Sequence, residues 1–553
     1  MNHQQLAALL FPDVTESRED VEARFPKRDL PEGAKVTRIG PSPTGFIHLG
    51  NLYNAIIAER LAHQSGGVFY LRIEDTDQKR EVPGAVETIL RSMAYFGVYF
   101  DEGATIDGNK GDYGPYRQRQ RAGIYHVFAK WLVEQGMAYP CFCTAEQLDA
   151  TRERQQANKE LTGYYGPYAT CRNLSLEEVQ ANLEAGKPWV LRFRAPEEQG
   201  TILVNDAIRG ALKMPSNNMD FVLLKSDGIP TYHFAHCIDD HLMQSTYVIR
   251  GEEWLASLPM HVALFEAMGW ETPIYCHTAT LMKLDTVPDD NGGEKQIKRK
   301  LSKRKDPELA LAYYQQEGIC QDAVWEFLLT LLNSNYEEWR IANPEASYLD
   351  FPYTLEKMSN SGALVDLEKL DNISKDVICR MSAEEVYEKW SAWCKEYNPD
   401  FYALLTAYKD KTLKALNVGK GGKKPRKDLV SWKQACQFMS FYYDETFQRE
   451  DEFPEQVDEA TRKEFFRRYL ESNDFSADQS AWFANVKAIT GDMGFAVRPK
   501  DYKKHPEDYK GSIVHTTNML RIALTGRANA PDIWEVSNVL GEDCVRARIE
   551  KYL

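Results

Sequence analysis

Long hydrophobic runs are missing from this chain of 553 residues. No apolar stretch approaches the ~18–20 residues needed to cross a bilayer, so no membrane partner is expected. The start, MNHQQLAALLFPD, lacks a basic flank, and its apolar stretch from Leu6 to Phe11 is too short for an export signal. Cysteine is sparse: ten residues, which without an export signal predict reduced thiols in the cytoplasm and exclude a disulfide framework. An excess of basic charge is absent too. Lys and Arg number 67 against 82 Asp and Glu, a net charge of −15, so any nucleic-acid surface must be a local patch on an acidic body. Internal repeats and low-complexity tracts are also lacking.

What is present suits a globular protein of roughly three or four domains at ~150 residues each. Hydrophobic residues make up 43% of the chain, and the mean hydropathy is −0.51. Two basic patches stand out. Residues 295–305 (KQIKRKLSKRK) hold seven basic residues in eleven, and 409–427 (KDKTLKALNVGKGGKKPRK) hold eight against one acid, Asp410. Either patch alone reads as a solvated charged loop.

Residues 1–34 read as a helical extension ending at the turn Pro31–Gly33. A β-branched run, Val36 to Ile39, is broken at once by PSPTG. Apolar spacing over 51–63 predicts a helix, Gly66 and Gly67 stop it, and VFYLRI (68–73) reads as a second buried strand. A helical stretch over 85–96 follows. Strand, helix, strand, helix in about 60 residues is the βαβ signature of a parallel, doubly wound sheet. The rhythm breaks over roughly 110–215, strand character returns at 221–225 and 246–249, and beyond about 316 the pattern is helical.

Two stretches carry chemistry. In RIGPSPTGFIHLGN (38–51), prolines stiffen a turn between strand and helix, and Gly45 and Gly50 permit close backbone approach to a ligand. Helix starts at strand ends offer free N–H groups and a positive dipole end to phosphate. There His48 can donate to a phosphate whose charge grows in the transition state. Far along the chain, Lys300 and Lys303 in KLSKR (300–304) can neutralise a leaving pyrophosphate. Each stretch by itself has a bland reading; together they are specific.

The pair resembles the HIGH and KMSKS signatures of class I aminoacyl-tRNA synthetases. LRIEDTD (71–77), PTYHFAHCIDDH (230–241) and YVIRGEEW (247–254) follow in the order of the glutamyl branch, and VDLEKL (365–370) and LRIALTG (520–526) extend the likeness. The resemblance implies an α/β Rossmann-type catalytic domain in two halves (35–110 and 221–315) around an inserted acceptor-stem-binding domain (111–220). After it come a stem-contact helical region (316–360) and an all-α anticodon-binding domain (361–553). It implies ligation of L-glutamate to the 3′ end of tRNA(Glu) through a glutamyl-adenylate, with class I transfer to the 2′-OH. ATP and Mg²⁺ are the implied cofactors, and a monomer the implied state.

By the same resemblance, Arg38, Ser42, Glu74, Tyr232, His236 and Arg250 bind glutamate. Two forked cations and one acid match a substrate with two carboxylates and one ammonium. Gly45, His48, Gly50, Glu253, Trp254, Lys300, Ser302, Lys303 and Arg304 would surround ATP, with His48, Lys300 and Lys303 as the catalytic groups. His236 departs from the family's usual Asn. Arg250 speaks against a glutaminyl enzyme, because a neutral amide would leave a buried guanidinium without an anion. In the inserted segment, Cys141, Cys143 and Cys171 offer three of the four ligands that zinc requires. With Asn173 where some relatives have His, Tyr165 or Tyr168 is the expected fourth. Lys423, Lys424, Arg426 and Lys427 are the candidate tRNA phosphate contacts. DNISKDVICR (371–380) leaves charging of tRNA(Gln) open.

Overall fold

The structure is a computed structural model that describes residues 2–289, 293–360, 362–421 and 425–553. It divides into two compact units: Met1–Tyr313 with Trp325–Asp366, and Tyr314–Val324 with Leu367–Leu553.

In the first unit, the β-branched run forms the fully buried strand Val36–Ile39. It pairs in parallel with Val68–Leu71, in the register Val36↔Val68, and that strand pairs in parallel with Glu102–Ala104. The intervening helix, Leu49–Gln64, begins two residues earlier than its apolar spacing suggests and is buried on nearly all sides. Gly67 is required where the chain re-enters the sheet, because a Cβ there would lie 2.0 Å from the Lys35 carbonyl oxygen. A second parallel pair, Tyr247–Gly251 with Ile274–Thr278, places Arg250 beside His277. The Thr246 amide donates to the Val36 carbonyl at 2.9 Å, which brings the two parallel pairs together.

The segment between the halves builds its own antiparallel sheet from Ala138–Cys141, Val190–Phe193 and Val222–Leu224, and a hairpin of Thr201–Asp206 with Gly210–Pro215. The N-terminal extension contributes two short helices, His3–Leu10 and Arg18–Ala23. Leu6, Ala7, Leu10 and Val21 join a hydrophobic core with Ile124, Phe128 and Leu132, so the extension is part of this core. Half of the basic patch at 295–305 is not loop: Glu294–Lys300 pairs antiparallel with Leu281–Pro288. Arg299 bridges this hairpin to Asp285, a cross-strand ion pair that periodicity alone does not display.

The second unit is helical. It runs from Leu367–Arg380 and Ala383–Tyr397 to Glu542–Glu550, and among its described residues it contains no strand. No helix among the described residues is long and apolar enough to cross a membrane.

Candidate active site

The turn after strand 36–39 delivers His48 to the start of helix 49–64, where its backbone N–H donates to Asn51 Oδ1 at 3.0 Å. Beyond the basic hairpin, the chain returns to the same place: His48 bridges to Ala310, and the Leu311 amide donates to the Ile47 carbonyl at 3.3 Å. The two distant motifs therefore share one cleft of about 270 Å³. His48, Gly50, Tyr53 and Asn54 line one side, Gly251, Glu253 and Thr278–Leu281 another, and Lys300, Leu301 and Lys303 the third. Burial, with Lys303 and Lys300 adding repulsion, pushes the His48 imidazole down to about 4. It is neutral at ordinary pH, and its Nδ1 is buried without a hydrogen-bond partner. Lys303 Nζ lies 4.3 Å from the centre of the Phe46 ring.

Asp306 anchors the lysine loop. It accepts from the Ser302 amide at 2.8 Å and from Arg299 Nη1 and Nη2 at 2.6 and 2.8 Å. The Arg299 bonds hold its carboxyl well below the usual range. Ser302 is thus positioned by its backbone, while Lys303 and Arg304 stay exposed; only Lys303 of these two lines the cleft.

Next to the cleft is a buried ionic floor. Arg38 donates Nε and Nη2 to the two oxygens of Asp240 at 3.1 and 3.2 Å. Arg72 joins Asp240 at 2.8 Å to Glu74 at 3.0 Å. Arg121 pairs with Asp239 at 2.6 Å. The two arginines drive the Asp240 carboxyl well below its ordinary value against its burial, whereas burial raises Glu74 despite Arg72 and Arg38. Gly40 makes room for this acid, since a Cβ there would overlap Glu74 Oε1 at 2.2 Å.

Arg250 is equally buried, at 4% exposure, but its neighbours are imidazoles. Nε donates to His277 Nε2 at 3.0 Å and Nη1 bonds His261 Nδ1 at 3.1 Å. Its Nη2 is buried with no partner.

Residues 35–372 match the family described as "tRNA synthetases class I (E and Q), catalytic domain", and 507–553 match an anticodon binding domain. The chain belongs to this class I family. It is 53% identical to a glutamate--tRNA ligase of Acetivibrio thermocellus over the whole of both chains, and 46% identical to one of Clostridium perfringens strain SM101, again over both full lengths. Among solved structures, a glutamate tRNA ligase from Elizabethkingia meningosepticum in complex with its amino acid superposes with a TM-score of 0.73 at 29% identity. The match covers 94% of this chain and 99% of that one.

Within this class I architecture, several residues named from sequence sit differently from expectation. His236 is fully buried behind the site: Nδ1 bonds Asp240 and Nε2 bonds the Tyr275 hydroxyl at 3.0 Å. Both nitrogens thus have partners inside the protein. Tyr232 stacks on His236 at 5.6 Å and packs against Trp254 at 4.2 Å, so Trp254 covers Tyr232 and does not line the cleft, whereas Glu253 does. Ser42 and Gly45 are exposed on the turn ahead of His48.

At the cysteines, the three sulfur atoms lie within 4.8 Å of one another. The hydroxyl beside them is that of Tyr164, at 3.4 Å from Cys141 Sγ and 3.3 Å from Cys143 Sγ. Tyr165 and Tyr168 instead donate to the Leu161 carbonyl and to Glu160, because the turn at 166–168 rotates them outward. The three thiols are three of the four donors that zinc requires, and the Tyr164 hydroxyl is the polar group next to them. Donation from Cys143 and Cys171 pulls the Cys141 thiol down.

Of the C-terminal lysine patch, Lys423 and Lys424 lie outside the described residues. Arg426 is tucked in, paired with Asp428 at 2.8 Å and packed over Phe438. Lys427 is half-exposed and paired with Asp376 at 2.6 Å. The sequence reading missed Arg72, Asp240, His261 and His277. The doublet Asp239-Asp240, following apolar residues in a helix, was the available signal for two of them: paired acids in such a helix require buried cations.

Proposed function

We propose that this chain activates L-glutamate with ATP as glutamyl-adenylate and transfers it to the 3′ end of tRNA(Glu). The observation that carries this reading is the meeting of His48 with Lys300 and Lys303 around one cleft, whose lining residue Gly251 directly follows Arg250, a buried guanidinium with an unpartnered Nη2. An oxygen of the glutamate carboxylate attacks the α-phosphorus, the bond from that phosphorus to the α,β-bridging oxygen breaks, and pyrophosphate leaves with that oxygen. Lys300 and Lys303 neutralise that leaving group, and neutral His48 donates to phosphate as charge accumulates. The 2′-OH of the terminal adenosine then attacks the acyl carbonyl, and AMP departs. No protein nucleophile is required; position and charge supply the rate. Mg²⁺, arriving with ATP, would screen its phosphates.

Arg250 supports glutamate over glutamine as the substrate, through its need for an anion. Arg38, Ser42, Glu74 and Tyr232 complete the amino-acid site in this reading. The helical unit is the proposed anticodon reader, with Lys423, Lys424 and Lys427 as its candidate contacts to RNA phosphate. We infer a cytoplasmic monomer. Cys141, Cys143, Cys171 and Tyr164 would hold zinc, which would tie the strand end at 141 to the turn at 166–171. Metal analysis of protein purified without chelator tests this, and less than about a tenth of a zinc per chain rejects it. The deciding experiment for function is ATP–pyrophosphate exchange with glutamate or glutamine, each with tRNA(Glu) and tRNA(Gln). Exchange with glutamate and tRNA(Glu) is expected; exchange with glutamine alone overturns the reading.

A further inference from the structure

Buried arginines in the catalytic unit usually meet carboxylates: Arg38 and Arg72 at Asp240, Arg121 at Asp239, Arg60 at Glu59, Arg172 at Asp220. Arg250 does not, and among the described residues it forms no ion pair. Its contacts form a directional chain. Guanidinium nitrogen can only donate, so the Nε bond to His277 Nε2 obliges His277 to carry its proton on Nδ1, which donates to Asp206 Oδ2 at 2.7 Å. The Nη1 bond likewise obliges His261 to carry its proton on Nε2, which donates to His233 Nδ1 at 2.9 Å. Asp206 is itself held by the amides of Ile208 and Arg209 at 2.9 and 2.8 Å. The Tyr275 ring lies 4.6 Å from the guanidinium carbon.

We propose that His261 and His277 are specificity-positioning residues: two neutral acceptors that lock the Arg250 fork while leaving its charge and its Nη2 for the side-chain carboxylate of the amino acid. This rests on the reading of glutamate as substrate. A carboxylate at either position would hold the fork equally well but cancel the charge that discriminates carboxylate from carboxamide. An alkyl group would leave the charge but free the fork. Imidazole does neither, provided it stays neutral, and burial together with Arg250 lowers the pKa of both His261 and His277. Asp206 lies one bond further out, so its charge fixes the His277 tautomer without touching the guanidinium. His236 and Tyr232, packed on His261 at 4.7 and 5.9 Å, bring no acid into contact with Arg250.

The test compares two substitutions of equal shape. In His261→Asn, the side-chain oxygen takes the place of Nδ1 as a neutral acceptor; in His261→Asp, the same oxygen is charged. With tRNA(Glu) present, the KM for glutamate in His261→Asp should exceed that of His261→Asn at least tenfold. The preference for glutamate over glutamine should shrink by a similar factor, and the KM for ATP should stay the same in both. Equal glutamate KM values in the two variants overturn the proposal, since a merely structural histidine would be missed alike in each. Should His261→Asp fail to fold, His277→Gln against His277→Ala decides. Gln, which keeps an acceptor for Nε, should stay within threefold of wild type in glutamate KM and Ala should rise at least tenfold; identical values overturn it. A wild-type enzyme that does not activate glutamate at all would instead defeat the functional reading.

Discussion

The ionic floor under strands 36–39 and 68–71 and the lysine loop at 300–305 hold the same kind of charge to different ends. In the floor, Arg38, Arg72 and Arg121 are buried and each has a carboxylate. In the loop, Lys303, Arg304 and Lys305 are exposed, and none has a carboxylate partner among the described residues. A cation matched inside the protein is held by its partner, and removing that partner strands a charge away from water. A cation left unmatched at a cleft is available to an incoming anion. Arg250 combines the two conditions, buried like the floor and unmatched like the loop.

The sharpest way to break this comparison is to remove the shared acid of the floor. Asp240→Ala strands Arg38 and takes one carboxylate from Arg72, which keeps Glu74, and should cost about 3–5 kcal/mol of stability, read by urea unfolding; a loss under about 1 kcal/mol would mean that the floor is not held by compensation. Lys303→Ala should do the reverse. Its melting temperature should match wild type, while tRNA-dependent pyrophosphate exchange falls about 100-fold, or about 2.7 kcal/mol of transition-state stabilisation. Near-normal exchange would return the loop to the status of a solvated surface.

His48 supplies a pH-dependent comparison of intermediate size. Its folded value of about 4 lies below the ordinary 6.5. Between these values the unfolded chain binds a proton that the folded chain refuses, so stability falls as pH falls through that window, by about 1.4 kcal/mol per pH unit. Other lowered histidines, such as His233 at about 4, add to the total. His48→Asn should therefore reduce the slope by one proton's worth and leave it otherwise intact; an unchanged slope contradicts a neutral His48. The smallest effect is expected at Lys427→Ala in the helical unit. Its ion pair with Asp376 is about half-exposed and worth about 0.2–1 kcal/mol. Binding to tRNA should weaken less than threefold, with the salt slope reduced by about 1.

Local signals announced much of the fold. β-branched runs at 36–39 and 68–71, helical spacing at 51–63 and paired glycines at 66–67 mark strand, helix and turn by backbone preference and periodicity, and these are nearest-neighbour effects. The helical second unit was legible for the same reason. The hairpin 281–300 was not, because its stability comes from cross-strand pairs such as Arg299 with Asp285, which are invisible along one strand. The tyrosine at the thiols was misread for a related reason: which of Tyr164, Tyr165 and Tyr168 faces inward depends on a turn of three residues, and spacing does not resolve its rotation.

The sequence by itself determined which chemical groups were available: a histidine at a helix start, lysines spaced by three, arginines and acids in ordered motifs. Side-chain type and local backbone preference are properties of short segments. Only the tertiary structure decided which charges were cancelled. Arg38 and Arg250 read alike as glutamate ligands, yet one meets Asp240 and the other meets two imidazoles. Their charges differ in effect because the field at a buried group is set by what packs around it, and those neighbours come from strands and helices up to 202 positions away in the chain.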